Sequence, residues 1–175
     1  MDFFEVVIRN KRFKEFRSDQ PPLSSDQIKQ LMACAQLSPS LSEIQNYTFV
    51  IITDPDLKRQ ISEQAEGCEW IINAIAIFAV VVVIDKPDDD VNIIDAIISS
   101  SQLMLAATAS NLGSNLIVEF DQTAVNQLLG VQDERLSVIA LIPVGETLDE
   151  GSQGYKRTLS ELLNHNQLGS PYKFD

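Results

Sequence analysis

Basic residues gather in one short stretch of an otherwise acidic chain. The 175-residue sequence has 13 Lys and Arg against 25 Asp and Glu, a net charge of −12. Five of the thirteen basic residues nevertheless fall within positions 9–17, namely Arg9, Lys11, Arg12, Lys14 and Arg17. Guanidinium and ammonium groups this close together can bind a phosphate through charge-assisted hydrogen bonds. The stretch predicts a local anion site; the alternative is a solvated helix end with surface basic residues.

The overall acidity limits what kind of anion is expected. Phe13 and Phe16 alternate with the basic residues, a pattern that also occurs in nucleic-acid-binding proteins. A net charge of −12 opposes nonspecific binding to nucleic acid or to an anionic membrane. We therefore expect a single phosphate group at this stretch, and we predict neither a nucleic-acid partner nor a membrane partner.

Few other residues could carry chemistry. Cys34 and Cys68 lack C-x-x-C spacing, and His165 is the single histidine. This set provides neither a zinc site nor a nucleophile with a base and an orienting group. The seven glycines form neither G-x-G-x-x-G nor a P-loop. The acidic residues at 86–90 (KPDDD) lack the spacing of a calcium loop, so we interpret them as an exposed turn and predict no metal.

The N-terminal sequence and the thiols indicate a compartment. MDFFEVVIRNK lacks the basic, apolar and small-residue order of a signal peptide. Two separated cysteines are typical of proteins that keep free thiols in a reducing environment. The expected location is the cytoplasm.

A long apolar helix is the element around which the chain is predicted to fold. Apolar residues recur at spacings of three and four over residues 91–112, and Gly113 follows as the expected stop. Apolar or small side chains cover nearly all sides, which predicts burial on most faces. Asp95, Gln102 and a serine run argue against a membrane span of about 18 apolar residues. We expect this helix in a packed core or at a subunit interface, and a plain core helix is the alternative.

Three strands and several shorter helices are predicted around it. The strands are the β-branched or apolar runs at residues 47–52, 77–84 and 136–144. Helices are predicted from caps and periodicity at residues 2–9, 24–38, 69–73, 121–129 and 159–163, and another is predicted to start at Asp54 and to include Leu57 and Ile61. Because helices and strands do not alternate strictly, the pattern favours one α+β domain over residues 1–175.

The order of these segments resembles the flavin-dependent nitroreductase family over nearly the whole chain. The matching segments are IRNKRFKEF, SPSLSEIQNYTFVI, AIAIFAVVVV, NLGSNLIVEF, IALIPVGE and YKRTLSELL. The resemblance implies a central mixed or antiparallel sheet flanked by helices. It also implies a homodimer with the long central helix at the interface, where Ile97, Leu103 and Met104 lie in or beside the contact.

The resemblance further implies two FMN molecules between the subunits. Cations at both chain ends would hold the phosphate, the loop at 39–45 would line the ring, and backbone N–H groups at 117–119 would face its reactive nitrogen. Lys14 near the pyrimidine side would stabilise the anionic reduced ring. No catalytic residue is assigned. The implied cofactor-binding residues are Asn10, Lys11, Arg12, Lys14, Pro39, Ser40, Glu43, Gln45, Ile117, Val118, Glu119, Lys156 and Arg157.

The implied activity is that of an NAD(P)H oxidoreductase with a ping-pong mechanism. NAD(P)H delivers hydride to FMN and leaves, and an electron-poor nitro compound or quinone then takes the electrons at the same face. The chain departs from the family pattern at Asn10, where an Arg is expected, at Arg12, where a Ser is expected, and at Glu43, where an Asn is expected. Two alternatives stay open: a catalytically degenerate dimer of this fold that holds flavin or another ligand, and an unrelated α+β domain.

Overall fold

A four-stranded antiparallel sheet and six α-helices make up the fold over residues 1–84 and 90–174, which the computed structural model describes. The strands have the spatial order β1–β2–β4–β3 and are β1 (Tyr47–Ile52), β2 (Ala76–Val83), β3 (Gly113–Ser114) and β4 (Leu136–Gly145). The helices are α1 (Phe3–Arg9), α2 (Ser25–Gln36), α3 (Pro55–Ser62), α4 (Asp90–Ala109), α5 (Gln122–Leu128) and α6 (Leu159–Leu162). A 3₁₀ helix, Glu69–Asn73, lies between α3 and β2. Apart from Asp90, the turn predicted at 86–90 lies outside the described residues.

The central strand β2 packs against helices on both of its faces. Its residues are buried almost without exception. Phe78 and Val80 join the core formed with α2 and α4, whereas Ile77 and Ala79 join the core formed with α3 and α5. Because successive side chains of a strand point to opposite faces, one apolar run serves two cores. This explains why the sequence shows a continuous apolar run here instead of an alternating one.

Most of the predicted elements are confirmed, because their signals are local. The three predicted strands agree with the observed ones to within one residue. Ser24 and Gln27 form a reciprocal capping box at the start of α2, and Asp54 and Asp121 cap α3 and α5. The α+β class is confirmed. Two differences are that the element at residues 69–73 is a 3₁₀ helix and that the two-residue strand β3 was not predicted.

The central helix ends earlier than predicted. It spans Asp90–Ala109, and Asn111 then adopts a left-handed conformation with φ 58°. Asn enters this region more readily than most residues, so it ends the helix and the prediction of Gly113 as the stop is wrong. Gly113 belongs to β3, where an added Cβ would collide with the side chains of Thr147 and Phe13. Close packing therefore explains this glycine.

Only one face of α4 is covered within the chain. The covered face carries Asp95, Ala96, Ser99, Leu103, Ala106 and Ala107. The opposite face carries Ile94, Ile97, Ile98, Ser101, Met104 and Leu105 at spacings of three and four and is exposed or half-buried. By length and composition α4 could span a bilayer, but half of it is buried inside the protein. Leu103 lies wholly in the chain's own core and can lie only beside an interface on this helix, whereas Ile97 and Met104 remain accessible.

A buried carboxylate on α4 anchors the loop between α2 and β1. Asp95 is 1% exposed, and its carboxylate accepts hydrogen bonds from the Leu41 N–H at 2.6 Å and from the N–H and hydroxyl of Ser42. Burial raises the pKa of Asp95, but these hydrogen bonds to the charged form outweigh burial and hold the pKa below its ordinary value of 3.8. The loop at residues 39–45 is thereby attached to the first half of α4.

We expect Asp95→Asn to lower the free energy of unfolding by about 1.5–3 kcal/mol at pH 7, because an amide cannot replace the charged acceptor of three donors. The pKa of Asp95 is lower in the folded state than in the unfolded state. The stabilisation is therefore present above the unfolded-state pKa and is lost as pH falls through the folded-state pKa.

Urea denaturation of wild type and variant at pH 7 and pH 3 tests this prediction. The difference in unfolding free energy should shrink at pH 3. Asp26→Asn, at a side chain that is 96% exposed, is the control and should change stability by less than about 0.5 kcal/mol. An equal loss for Asp95→Asn at both pH values would contradict the role of the charge.

Candidate functional site

The five basic residues of the predicted anion stretch have different surroundings. Arg9 and Arg17 form ion pairs with glutamates at 3.7 and 3.0 Å, and Lys11 donates to a backbone carbonyl at 2.9 Å. The side chains of Arg12 and Lys14, in contrast, contact no carboxylate in the part of the chain that the structure describes. Within the stretch, these two cations are the ones available to an anionic ligand.

The backbone around Arg12 and Lys14 is fixed by long-range pairing. The Arg12 N–H donates to the Ser152 carbonyl at 2.9 Å, and the Ser152 N–H donates back at 2.8 Å. The Lys14 N–H donates to an Asp149 carboxylate oxygen at 3.1 Å. Phe13, which lies between Arg12 and Lys14 in the sequence, donates its N–H to the Ser114 carbonyl of β3. Residues two apart in an extended segment face the same side, so Arg12 and Lys14 are presented together.

A cleft of about 420 Å³ lies beside these two cations, and we call it the cationic cleft. Its volume is in the range of small-molecule sites. Besides Arg12 and Lys14, it is lined by Glu66, Gly67, Cys68, Trp70, Asn115, Leu116, Ile117, Val118 and Glu119.

Arg12 also lines two neighbouring clefts. One of about 430 Å³ is bounded by residues 149–152, and one of about 410 Å³ contains Asn10, Lys11 and Lys156. Arg157 is exposed and lines none of these three clefts. The structure thus brings the predicted residues from both chain ends together around Arg12, with the exception of Arg157.

The segment at residues 117–119 offers fewer backbone donors than predicted. The Ile117 N–H donates to the Leu141 carbonyl at 2.9 Å, so it is already used inside the fold. The expectation that this N–H faces a flavin ring is therefore wrong. The N–H groups of Val118 and Glu119 have no acceptor among the described residues, and both residues are exposed. Two of the three predicted backbone donors remain available at the cationic cleft.

The pKa of the Cys68 thiol depends on burial and on the charged groups around the cationic cleft. Burial raises the pKa of Cys68, the charge of Lys14 lowers it, and Glu69 and Glu119 raise it further, so the net pKa lies above its ordinary value. A thiol with a raised pKa is protonated near neutrality and is a poor nucleophile. Cys68 is therefore a neutral wall of the cleft.

The loop predicted to line the flavin ring lies outside these clefts in the same chain. The Ser40 hydroxyl donates to the Ser42 carbonyl at 2.9 Å, and the Gln45 side chain donates to the Gln36 carbonyl at 2.9 Å. Gln45 lines a separate groove between α2 and β1, and none of Pro39, Ser40, Glu43 and Gln45 lines a cleft that contains Arg12.

The two halves of the predicted site are attached to opposite ends of α4. The loop at 39–45 is attached to Asp95, whereas Asn10 accepts a hydrogen bond from the Thr108 hydroxyl at 3.4 Å. The two anchors, Asp95 and Thr108, are thirteen positions apart on the helix. At 1.5 Å per residue the anchors are about 20 Å apart. One chain therefore does not bring both halves of the predicted site together.

The fold is an α+β domain with a cleft of small-molecule size at the edge of its sheet, next to two cations that form no ion pair among the described residues. The model of the "Nitroreductase family" matches residues 14–76 and 69–146. The chain belongs to the nitroreductase family.

Several known proteins are similar over nearly the full length. MhqN of Bacillus subtilis, whose name places it among the NAD(P)H nitroreductases, is 18% identical over 94% of this chain and 98% of its own. A solved nitroreductase family protein from Clostridium novyi has a TM-score of 0.77 at 23% identity, with 98% and 97% of the two chains covered. A protein of Exiguobacterium sibiricum solved in complex with FMN has a TM-score of 0.84 at 18% identity, with 94% and 97% covered. At these identities the structural likeness shows the fold.

A glycine beside Arg12 allows a direct test of its position. At Gly154, with φ +63°, an added Cβ would lie 2.8 Å from Arg12 Nη2. At Gly130, with φ +69°, an added Cβ would meet nothing within 4 Å. Gly154→Ala and Gly130→Ala thus impose the same backbone strain of about 1–2 kcal/mol, but only the first displaces the guanidinium.

We expect both alanine variants to unfold at similarly reduced temperatures. Only Gly154→Ala should weaken binding of FMN, by about threefold to tenfold, since the moved guanidinium loses part of one charge-assisted hydrogen bond. Thermal unfolding and fluorescence quenching of FMN provide the two readouts. Equal FMN affinity in the two variants would mean that Arg12 does not contact the cofactor.

Proposed function

We propose that this protein is an FMN-dependent oxidoreductase that passes electrons from NAD(P)H to an electron-poor small molecule, a nitro compound or a quinone, by a ping-pong mechanism. The observation that carries the proposal is the pair Arg12 and Lys14 beside a cleft of about 420 Å³ in a protein of net charge −12. Neither cation forms an ion pair within residues 1–84 and 90–174. Membership of the nitroreductase family and the name of MhqN support the reaction class. The FMN complex of the E. sibiricum protein supports the cofactor.

The residues of the cationic cleft fit the chemistry of a flavin mononucleotide. Arg12 can donate two parallel hydrogen bonds to a phosphate, and Lys14 can add a compact charge. The free N–H groups of Val118 and Glu119 can donate to acceptor atoms of a ring. Trp70 and Ile117 supply apolar wall for an aromatic system. When bound, the flavin supplies the redox chemistry by taking hydride from the nicotinamide and giving the electrons to the acceptor.

Lys14 is the residue of this chain that we expect to tune the reaction. Its ammonium group faces the cationic cleft and carries no carboxylate partner in the described part of the chain. An unpaired cation in a partly enclosed cleft favours any ligand state that carries more negative charge. Lys14 therefore favours electron uptake at this site, whereas Arg12, which borders three clefts, is suited to hold the phosphate.

The proposal includes a homodimer, and two features of the surface support it. The accessible face of α4 with Ile94, Ile97 and Met104 is apolar, and α1 exposes Phe3 and Phe4 by 68% and 75%. The predicted apolar stripe of α1 thus lies outside the chain's own core. A second copy with its α4 antiparallel to the first would also bring the partner's loop at 39–45 towards Arg12, across the distance of about 20 Å that separates the halves in one chain.

The departure from the family motif supplies the sharpest test of the cofactor. Asn10 ends α1 and accepts from Thr108, while Arg12 has no carboxylate partner among the described residues. We expect Arg12 to supply the cation that the motif lacks at position 10. Arg12→Ser should then weaken FMN binding by about tenfold or more, since one charge-assisted hydrogen bond contributes about 1.5–3 kcal/mol. The double variant Arg12→Ser with Asn10→Arg should recover part of the loss.

Purified wild-type protein should be yellow, release FMN on denaturation and oxidise NAD(P)H when a quinone or nitro compound is supplied. Quenching of FMN fluorescence then gives the dissociation constants of the three proteins. Bound FMN without NAD(P)H oxidation would favour the alternative, a flavin-holding module. Unchanged FMN affinity in Arg12→Ser would show that Arg12 does not replace the cation missing at position 10. A wild type that binds no FMN would rule out the proposed function.

A further inference from the structure

A second cleft of about 480 Å³ adjoins the cationic cleft, and we call it the acidic cleft. It is lined by Gln64, Glu66, Glu119, Phe120 and Asp121, and it shares Glu66 and Glu119 with the cationic cleft. None of the Lys and Arg residues that the structure describes lines it. Glu66 and Glu119 form no ion pair within residues 1–84 and 90–174. A ligand that leaves the cationic cleft on this side therefore passes uncompensated carboxylates.

The acidic cleft has a fixed backbone. The Asp121 N–H donates to the Gln64 carbonyl at 2.8 Å and joins its two walls. The Cys68 N–H donates to the Ala65 carbonyl at 3.0 Å, and Gly67 with φ +70° completes the turn that carries Glu66. These hydrogen bonds fix the backbone of both walls, and Glu66, Glu119 and Asp121 line the cleft from that backbone.

On the basis of the proposed function, we infer that the acidic cleft binds the adenosine half of the nicotinamide dinucleotide and makes the enzyme selective for NADH over NADPH. A dinucleotide whose nicotinamide enters the cationic cleft must extend over its rim, and the acidic cleft is continuous with that rim through Glu66 and Glu119. Phe120 offers an aromatic face on which adenine can stack.

The negative charge of the acidic cleft is expected to determine which of NADH and NADPH binds more tightly. The ribose of NADH carries a 2′-hydroxyl that can donate a hydrogen bond to a carboxylate, the arrangement by which acidic residues recognise NAD in other folds. The 2′-phosphate of NADPH carries a charge of about −1.5 to −2 and has no donor to offer. Near Glu66, Glu119 and Asp121 it meets repulsion. Arg12 and Lys14 are already occupied by the proposed flavin, Arg12 by its phosphate and Lys14 by its ring. We expect kcat/KM for NADH to exceed that for NADPH by about tenfold or more at low salt, with a smaller ratio at high salt.

Reversing the charge at Glu66 tests the inference in the FMN-loaded protein. Glu66→Lys should lower kcat/KM for NADH about threefold and raise it for NADPH about threefold, a change of about tenfold in the ratio. Glu134→Lys makes the same change of net charge at an exposed residue just before β4 that lines none of the clefts described above. It should leave both values unchanged.

Direct binding gives a second readout that does not depend on turnover. Calorimetric titration of the FMN-loaded protein with NAD⁺ and with NADP⁺ should show tighter binding of NAD⁺ in wild type and in Glu134→Lys, and a reduced or reversed difference in Glu66→Lys. Equal or better use of NADPH by wild type, or the same response to both lysine variants, would overturn the inference and leave the proposed function standing. Bound FMN that neither nucleotide reduces would overturn the proposed function itself.

Discussion

The polar side chains on the covered face of α4 determine where the rest of the molecule lies. Asn92 accepts a hydrogen bond from Asn46 and donates to the end of β2, Asp95 anchors the following loop, and Ser99 donates to the last turn of α2. Near the other end of the helix, Thr108 donates to Asn10. These groups lie in a largely apolar core, where an unsatisfied polar atom costs about 1–3 kcal/mol. Each hydrogen bond therefore attaches one segment of the chain to one position on α4. The positions of Asp95 and Thr108 on the helix set the separation of about 20 Å between the loop at 39–45 and the basic segment at 9–17.

This arrangement separates the predicted flavin-site residues of one chain into two groups, which we propose are two half-sites. Arg12, Lys14 and the N–H groups of Val118 and Glu119 form one half around the cationic cleft. The loop at 39–45 forms the other, and its hydroxyl and amide side chains are turned to nearby backbone carbonyls. The opposite face of α4 is apolar and accessible, so the surface that could join two copies lies between the two halves. We propose that assembly and cofactor binding are one event, and we expect Arg12 to supply the cation that the family motif has at position 10.

The sequence predicted those features whose causes lie within a few residues. The capping box of Ser24 and the apolar strand at 77–84 are local signals, and both predictions are confirmed. The clustering of basic residues is also local, and the anion site predicted from it stays a prediction. Long-range contacts decided the features that were missed. Arg17 pairs with Asp19 at 3.3 Å and with a glutamate 129 residues away at 3.0 Å, and no local pattern reveals the second of these partners. Ile117 uses its N–H in a bridge to β4, and Leu103 belongs to a core that a helix with apolar residues on all sides does not identify. The two residues of β3 are too few to form a pattern.

Co-expression of two differently tagged variants tests the proposal that each flavin site is built from two chains. One carries Arg12→Ser with Lys14→Ala, and the other carries Ser40→Trp in the loop. Each homodimer should bind almost no FMN. In the purified heterodimer one site receives both lesions and the other receives none. If each site is built from two chains, we expect about one FMN per dimer. A heterodimer that binds no FMN would show that both halves of each site come from the same chain, and the proposal of a shared site would be wrong.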